Sequence, residues 1–565
     1  MKDRVSLTDF LMYHKETHPI SFHMPGHKGR STLYGIYGFG DFVKNVIGND
    51  ITEIPGADAL QQPRERIKDM MDSYASLYGA RHTELLVNGS SAGLMAAILG
   101  TVSRGDKLLM GRNSHRSVYG ALRLGGINPA YIMPEIDAET GLQLGLDPDK
   151  IEEALIEDPD IKAVLVTSPN YYGVLSDIER IANIVHLHGR TLIVDQAHGA
   201  HLKFFDYLRS EDGLPYRAAE NCGADIVVDS THKTLLSFTG SAILNICTER
   251  PDVSRISEFL RMLQTTSPSY LLMGSLDINQ QILRMDGYNL IKNWDADIKY
   301  FYKEAAQIDG LGLIDRIDLD ETKVSITMSA LGLGGSELAA ELEKRNIWVE
   351  LTHGDYVILM TGIGNERGDY EDILTALRDL SAQYRGRITA AEKAAREERS
   401  QNLESTTELK SSSSSPENGS NRMETAQSES VSDSNRTETA QGELKEGSNR
   451  TETVADITDS AHEAAAHVTP ASNSTLIERL EQRRIPDTYE EVPLYSAEGR
   501  VLYESIIPYP PGSPIACPGE VLSKSVILYI RDQLVAQHVV LGVDEEGRVK
   551  VEPDCVLFKE VSGDL

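Results

Sequence analysis

The stretch Ala224-Asp225-Ile226-Val227-Val228-Asp229-Ser230-Thr231-His232-Lys233-Thr234 decides the reading of the fold. Its first five residues, ending in three β-branched side chains, predict a buried strand of a parallel sheet. The strand ends in Asp, Ser and Thr, and a lysine follows. A lysine there is either a solvated loop residue or an amine held in place for chemistry.

Upstream, the same grammar repeats from about residue 80 to 250. Thr83–Val87, Lys107–Met110, Ala130–Met133, Ile161–Val166 and Thr191–Val194 read as strands, with helical segments such as Ala92–Leu99 and Ile178–His188 between them. Strands alternating with helices predict an α/β fold with a mostly parallel sheet covered on both faces. In such sheets ligands collect beyond the carboxyl ends of the strands.

Before this region, residues 1–80 hold helical stretches broken by Gly-rich turns. His23-Met24-Pro25-Gly26-His27-Lys28-Gly29 is either a loop at a pocket mouth or a plain turn, and lacks the further Cys or His that zinc would need. After it, Tyr370–Ala395 reads as a long helix, and Gly332–Glu350 with Tyr356–Thr361 as a smaller α+β unit. Residues 401–472 are rich in Ser, Thr, Glu, Asn and Gln and carry a polar repeat beginning at Ser420, Ser434 and Ser448. That interval is shorter than a solenoid unit, and the apolar residues needed to offset ordering entropy are missing, so a disordered linker is expected. From 473 to 565 a globular pattern returns. Val540–Val543 and Arg548–Val551 flank Asp544-Glu545-Glu546-Gly547 as a β-hairpin, and Tyr509-Pro510-Pro511-Gly512-Ser513-Pro514 makes a rigid loop. The expected division is 1–80, 81–265, 266–400, the linker 401–472, and 473–565.

The totals narrow the function. The formal net charge of −31 over 565 residues makes nucleic acid and anionic membranes poor partners and would attract a cationic substrate. Cys222, Cys247, Cys517 and Cys555 form no CxxC, so free thiols in a reducing compartment are expected. The N-terminus shows no apolar signal core, and no apolar run approaches membrane-spanning length. A cytoplasmic protein is the expectation.

Four features sit at strand ends. Asn88-Gly89-Ser90-Ser91-Ala92-Gly93 opens a helix, where backbone N–H groups and the hydroxyls of Ser90 and Ser91 could hold phosphate, although Asn and Ser also cap ordinary helices. Asp195 ends a buried strand, and a carboxylate there needs a cation; a protonated pyridine nitrogen would serve, and backbone bonding is the alternative. Lys233 follows Asp195 by 38 residues, room for one strand, a crossover helix and loops, with Ser230 and His232 beside it as phosphate donors. His115 follows a fourth strand, where its ring could stack on a flat cofactor or be purely structural. Together these suit pyridoxal 5'-phosphate, held as a Schiff base on Lys233.

Asp195-Gln196-Ala197-His198 with Asp229-Ser230-Thr231-His232-Lys233 resembles fold-type-I pyridoxal-phosphate enzymes, and among them the bacterial ornithine/lysine/arginine decarboxylase family. Ser21–Gly29, Thr167-Ser168-Pro169-Asn170-Tyr171-Tyr172-Gly173 and Tyr509–Pro514 are similar to family segments. The likeness covers about 1–390 and 474–565. It implies a transferase-like large domain, a small α+β domain and a C-terminal decarboxylase domain, in the short form without the family's receiver-like N-terminal domain. It implies α-decarboxylation of a basic amino acid, arginine favoured over lysine and ornithine, with Lys233 or His232 returning a proton to the α-carbon. By the same likeness Asp195 pairs with the pyridine nitrogen, His115 stacks on the ring and His198 lies beside it. Ser90, Ser91, Ser230 and His232 bind phosphate, and Thr266 reaches the phosphate of a partner subunit in a homodimer. Close relatives would carry an acid where this chain has Gln196. Glu520, aimed by Pro518-Gly519, is expected to meet the cationic end of the substrate. Two alternatives stay open: another reaction on the same fold, such as an aminotransferase or lyase, and a non-catalytic homologue.

Overall fold

The computed structural model describes residues 6–314, 316–386, 488–509, 514–535 and 539–553, with Leu480, Glu481, Arg483, Ile485 and Pro486. The expected linker 401–472 lies outside the described residues, as do the last residues of the expected 370–395 helix, which is helical as far as 386. Met1–Ala382 and Thr469–Leu565 belong to one compact unit.

Seven strands form the main sheet: β1 (His82–Leu86), β2 (Lys107–Gly111), β3 (Asn128–Ile132), β4 (Ile161–Thr167), β5 (Thr191–Asp195), β6 (Ile226–Asp229) and β7 (Ala242–Ile246). Their order is β1-β7-β6-β5-β4-β2-β3. Only β7 runs against the others, paired antiparallel with both β1 and β6. The ends of β1, β2, β5 and β6 therefore open on the same edge of the sheet. Burial explains why these strands read as apolar runs and not as alternations. On β4, Ala163 and Leu165 join one core while Val164 and Val166 join the other; on β5, Ile193 faces the first and Leu192 and Val194 the second. Successive side chains alternate faces, and both faces are covered. The helices Gly89–Thr101 and Val253–Leu263 pack on the first face, and Ile178–Leu187 on the second.

The smaller unit is an antiparallel sheet ordered Leu351–His353, Tyr356–Met360, Lys323–Thr327, Gly312–Leu313, with the helix Gly335–Glu343. Ile20–Phe22 pairs in parallel with Ile347–Val349, which ties the N-terminal segment to this unit. The expected hairpin near the C-terminus is corrected. The turn is there, with Asp544 N–H donating to Arg548 O at 3.0 Å. Yet Val539–Leu541 pairs with Ile507–Tyr509, and Arg548–Val551 with Glu490–Pro493. Each strand finds a partner distant in sequence, because Val540, Val549 and Val551 are all drawn into one core with Leu502, Ile506 and Ile530. Among the described residues no helix is long and apolar enough to cross a membrane.

Candidate active site

Lys233 lies in a single helical turn, Thr231–Thr234, directly after β6. The turn is held from outside. Gly26 N–H donates to His232 O at 2.8 Å, Ile363 N–H to Thr234 O at 3.0 Å, and Gly364 N–H to Gly26 O at 3.0 Å. A Cβ at Gly26 would stand 2.3 Å from the Thr234 carbonyl carbon, so only glycine allows this approach. The His23–Gly29 segment is thus a clamp on the lysine turn. It also brings in Lys28, whose Nζ donates to His23 O at 2.6 Å and Met360 O at 2.9 Å.

Lys233 Nζ is 2.8 Å from Nε2 of His198. Burial lowers the pKa of this amine, against the pull of the Asp195 and Glu350 carboxylates. Asp195 ends β5, is 3% exposed, and accepts the Ala197 N–H at 3.2 Å. Burial raises its pKa, and Lys233 works in the other direction. A carboxyl so placed gains from any cation that enters. His115 caps the helix Arg116–Gly125, with Nδ1 accepting from Ser117 N–H at 3.3 Å. Desolvation, then the charge on Lys233, lowers it to about 4, so its ring is neutral near pH 7. His232 is likewise lowered to about 4, chiefly by burial; its Nδ1 lies 2.6 Å from Ser241 O. Lys233, Asp195, His198, His115 and His232 are thereby brought together.

The remaining predicted residues fall at two places. Ser90 and Ser91 are half-buried at the start of the helix Gly89–Thr101. Asn88 makes no side-chain cap there; its Oδ1 accepts from Thr265 N–H instead. Gly89 has φ +73°, and its N–H donates to Gly240 O at 2.8 Å. Thr266 is exposed on the loop beside this helix start, away from the contacts of Lys233 within its own chain.

Does this set of residues fit pyridoxal phosphate? Ser230 Oγ is fully buried with no hydrogen-bond partner among the described residues. Such an orphan costs free energy unless an acceptor arrives. It stands three residues before a lysine with a lowered pKa, and Asp195 ends the neighbouring strand without a bound cation of its own. A phosphate for the hydroxyl and a protonated ring nitrogen for the carboxylate satisfy both, so the donor set fits.

Sequence reasoning missed three participants. Lys323 opens a strand of the smaller unit, is 1% exposed, and puts Nζ 2.5 Å from Nδ1 of His198. Glu350 accepts from Tyr171 Oη at 2.9 Å and from Met24 N–H at 3.0 Å. Tyr171 packs its ring edge-on to His198, centroids 4.8 Å apart. A lysine opening a short strand looks solvated in sequence, and nothing local points to a histidine 125 residues away.

Glu520 is corrected. Its carboxylate is 3% exposed and already taken by Arg112, with Nε to Oε1 at 2.9 Å and Nη2 to Oε2 at 2.7 Å, and by Cys517 N–H at 2.7 Å. It anchors the 514–520 segment to the residue that follows β2, and does not face a substrate cation. Gln196 also finds its reason. Its amide donates to Glu220 Oε2 and Asp229 Oδ1, both at 3.0 Å, and Asn245 bridges the same two acids. An acid at 196 would put a third carboxyl into that buried pair; burial and Glu220 already push the Asp229 pKa well up.

Residues 5–318 match the model of the Orn/Lys/Arg decarboxylase major domain, and residues 462–544 that of the family's C-terminal domain. An arginine decarboxylase of Bacillus anthracis is 33% identical over 367 residues, covering 63% of this chain and 72% of that one. An arginine decarboxylase of Bacillus subtilis is 35% identical over 352 residues, 60% of this chain and 70% of its own length. The solved E. coli constitutive lysine decarboxylase superposes with a TM-score of 0.65 at 20% identity, over 92% of this chain and 77% of that one, and so shares the fold. With more than half of its length matched by the major-domain model, and the strand-end lysine, aspartate and histidines assembled at one sheet edge, the chain belongs to the Orn/Lys/Arg decarboxylase family.

Proposed function

We propose that this chain is a pyridoxal-phosphate-dependent α-decarboxylase of a basic amino acid, with arginine its preferred substrate. The observation that carries the reading is the buried amine of Lys233, under the pull of the Asp195 carboxylate at the neighbouring strand end and three residues after the orphaned hydroxyl of Ser230. The cofactor, when bound, supplies the electron sink for the bond to the departing carboxylate. Lys233 is the amine that holds it. Asp195 would meet its ring nitrogen and keep a proton there. His115, neutral near pH 7, offers a flat uncharged face to the ring. Ser230, His232 and the helix start at Gly89-Ser90-Ser91 hold the phosphate, and His198 sits against Lys233. Lys233 or His232 is the group that returns a proton to the α-carbon. The preference for arginine is supported by the Bacillus relatives named as arginine decarboxylases.

The working form on this reading is a homodimer. Thr266 is exposed beside the phosphate-holding helix start, where a second copy can use it, and Ile36, Ile47 and Ile54 are exposed apolar side chains suited to a covered face. A cytoplasmic location accords with the free thiols of Cys222, Cys247 and Cys517. The test is to supply the purified chain and cofactor with arginine, lysine and ornithine. Carbon dioxide should appear in equal amount with the amine product, fastest from arginine. Keto acid in place of carbon dioxide would assign the chain to another reaction of this fold.

A further inference from the structure

His198 is contacted by a lysine at each ring nitrogen: Lys233 Nζ lies 2.8 Å from Nε2 and Lys323 Nζ 2.5 Å from Nδ1. A neutral imidazole has one N–H and one lone pair, and an ammonium can only donate. Two hydrogen bonds in this row therefore need at least one lysine as a neutral amine to accept the imidazole N–H, while the other can donate as an ammonium. If Lys323 carries the proton, it donates to Nδ1, and Nε2–H donates to a neutral Lys233. If Lys233 carries it, the tautomer reverses. The row is built and enclosed. The Lys323 stem packs on the backbone of Gly173, where an added Cβ would stand 3.0 Å from the lysine Cβ. Tyr171 covers His198 and lies 5.8 Å below Lys323 Nζ.

We propose that Lys323 is a positioning residue for Lys233, sharing one proton with it through His198 so that Lys233 is held as a neutral amine. The exchange balances. One N–H of the Lys233 ammonium passes to His198 Nε2, and the Nδ1 proton passes to the amine of Lys323. No charge leaves the site. Other charged groups face the row from several elements. Asp195 and Glu350 favour a proton on Lys233, and Asp320 and Glu350 one on Lys323. His115 and His232 stand near His198 and are neutral above about pH 4. Burial lowers Lys323 to about 7, so the shared proton is exchangeable near neutrality.

The proposal rests on Lys233 as the cofactor-holding amine, but its test reads the cofactor-free chain, so its failure would leave that assignment standing. The full-length protein, freed of cofactor, is trace-labelled with acetic anhydride across pH, and acetylation of Lys233 is followed by mass spectrometry. In the wild type, Lys233 reactivity should rise in two steps at least about one pH unit apart, as expected for two sites dividing one proton. Lys323→Arg keeps a charge and a donor but cannot accept the proton, so the upper step should vanish. His198→Phe keeps the bulk and removes the bridge, and should leave one step. A single step in the wild type overturns the proposal, as does a Lys323→Arg curve that superimposes on it. Two steps persisting in His198→Phe would mean coupling through space and also overturn it. Circular dichroism checks each variant for folding, and the wild-type curve decides the matter if either fails.

Discussion

Two buried charge clusters lie beyond the strand ends of this molecule, and they differ in what they leave undone. Around Arg112 the guanidinium is saturated by Glu520 and by the carbonyls of Pro514 and Ile515 at 3.0 and 3.2 Å. Around Lys233 burial outweighs the pull of the nearby carboxylates: Lys28, Lys233 and Lys323 all have lowered pKa values, and the Ser230 hydroxyl has no partner among the described residues. Buried charge alone therefore does not mark a site. A cluster with its valences closed fastens a segment; one with open valences waits for a ligand.

The sharpest way to break this contrast is Lys233→Ala. Turnover should disappear and the absorption of the lysine-bound cofactor with it, while the circular dichroism spectrum and the unfolding midpoint stay close to wild type. Decarboxylation at the wild-type rate would remove the lysine cluster from the chemistry. The Arg112 cluster should behave the opposite way. Glu520→Ala leaves a buried guanidinium without its carboxylate, and should cost about 3–5 kcal/mol in urea unfolding. Replacing both partners with apolar residues of similar size should cost clearly less. If KM for basic amino acids rose in Glu520→Ala with stability unchanged, the residue would belong to the substrate after all.

A further effect separates the clusters by pH. His115 and His232 are neutral in the folded chain down to about 4, whereas an unfolded histidine takes up its proton near 6.5. Between those values the unfolded state binds more protons, so stability is full above 6.5 and is lost as pH falls toward 4. Each histidine contributes a slope of about 1.4 kcal/mol per pH unit. Urea unfolding of the cofactor-free protein from pH 7 to 4 measures the sum, and His115→Phe should flatten it by one such share. An unaltered slope would place His115 in solvent. The smallest effect is expected from deleting residues 405–468. Their composition is polar and repetitive, and shortening a loop changes closure entropy by only about 0.6 kcal/mol per halving. Activity and cofactor content should stay near wild type; loss of either would give the repeat a part in the site.

Much of the site was legible from local chemistry. A lysine after a β-branched strand, a carboxylate ending another and small residues opening a helix each carry a physical reason that needs no distant partner, and the sheet brings their strand ends to one edge. The twofold alternation of β4 and β5 between two cores follows from strand geometry. What failed or was missed depended on partners far along the chain. Glu520 looked free because Arg112 is 408 residues away, and a carboxylate goes to whichever cation the packing delivers. Lys323 carried no local signal, because only the fold brings it to His198. The two strands near the C-terminus looked like a hairpin because a turn joins them, but the shared core gave each another partner. Sequence by itself determined which residues could do chemistry and at which strand ends they stand, since backbone pattern and side-chain type are local properties. Tertiary structure alone decided which charges are closed into pairs and which remain open, because desolvation and pairing depend on what is packed alongside.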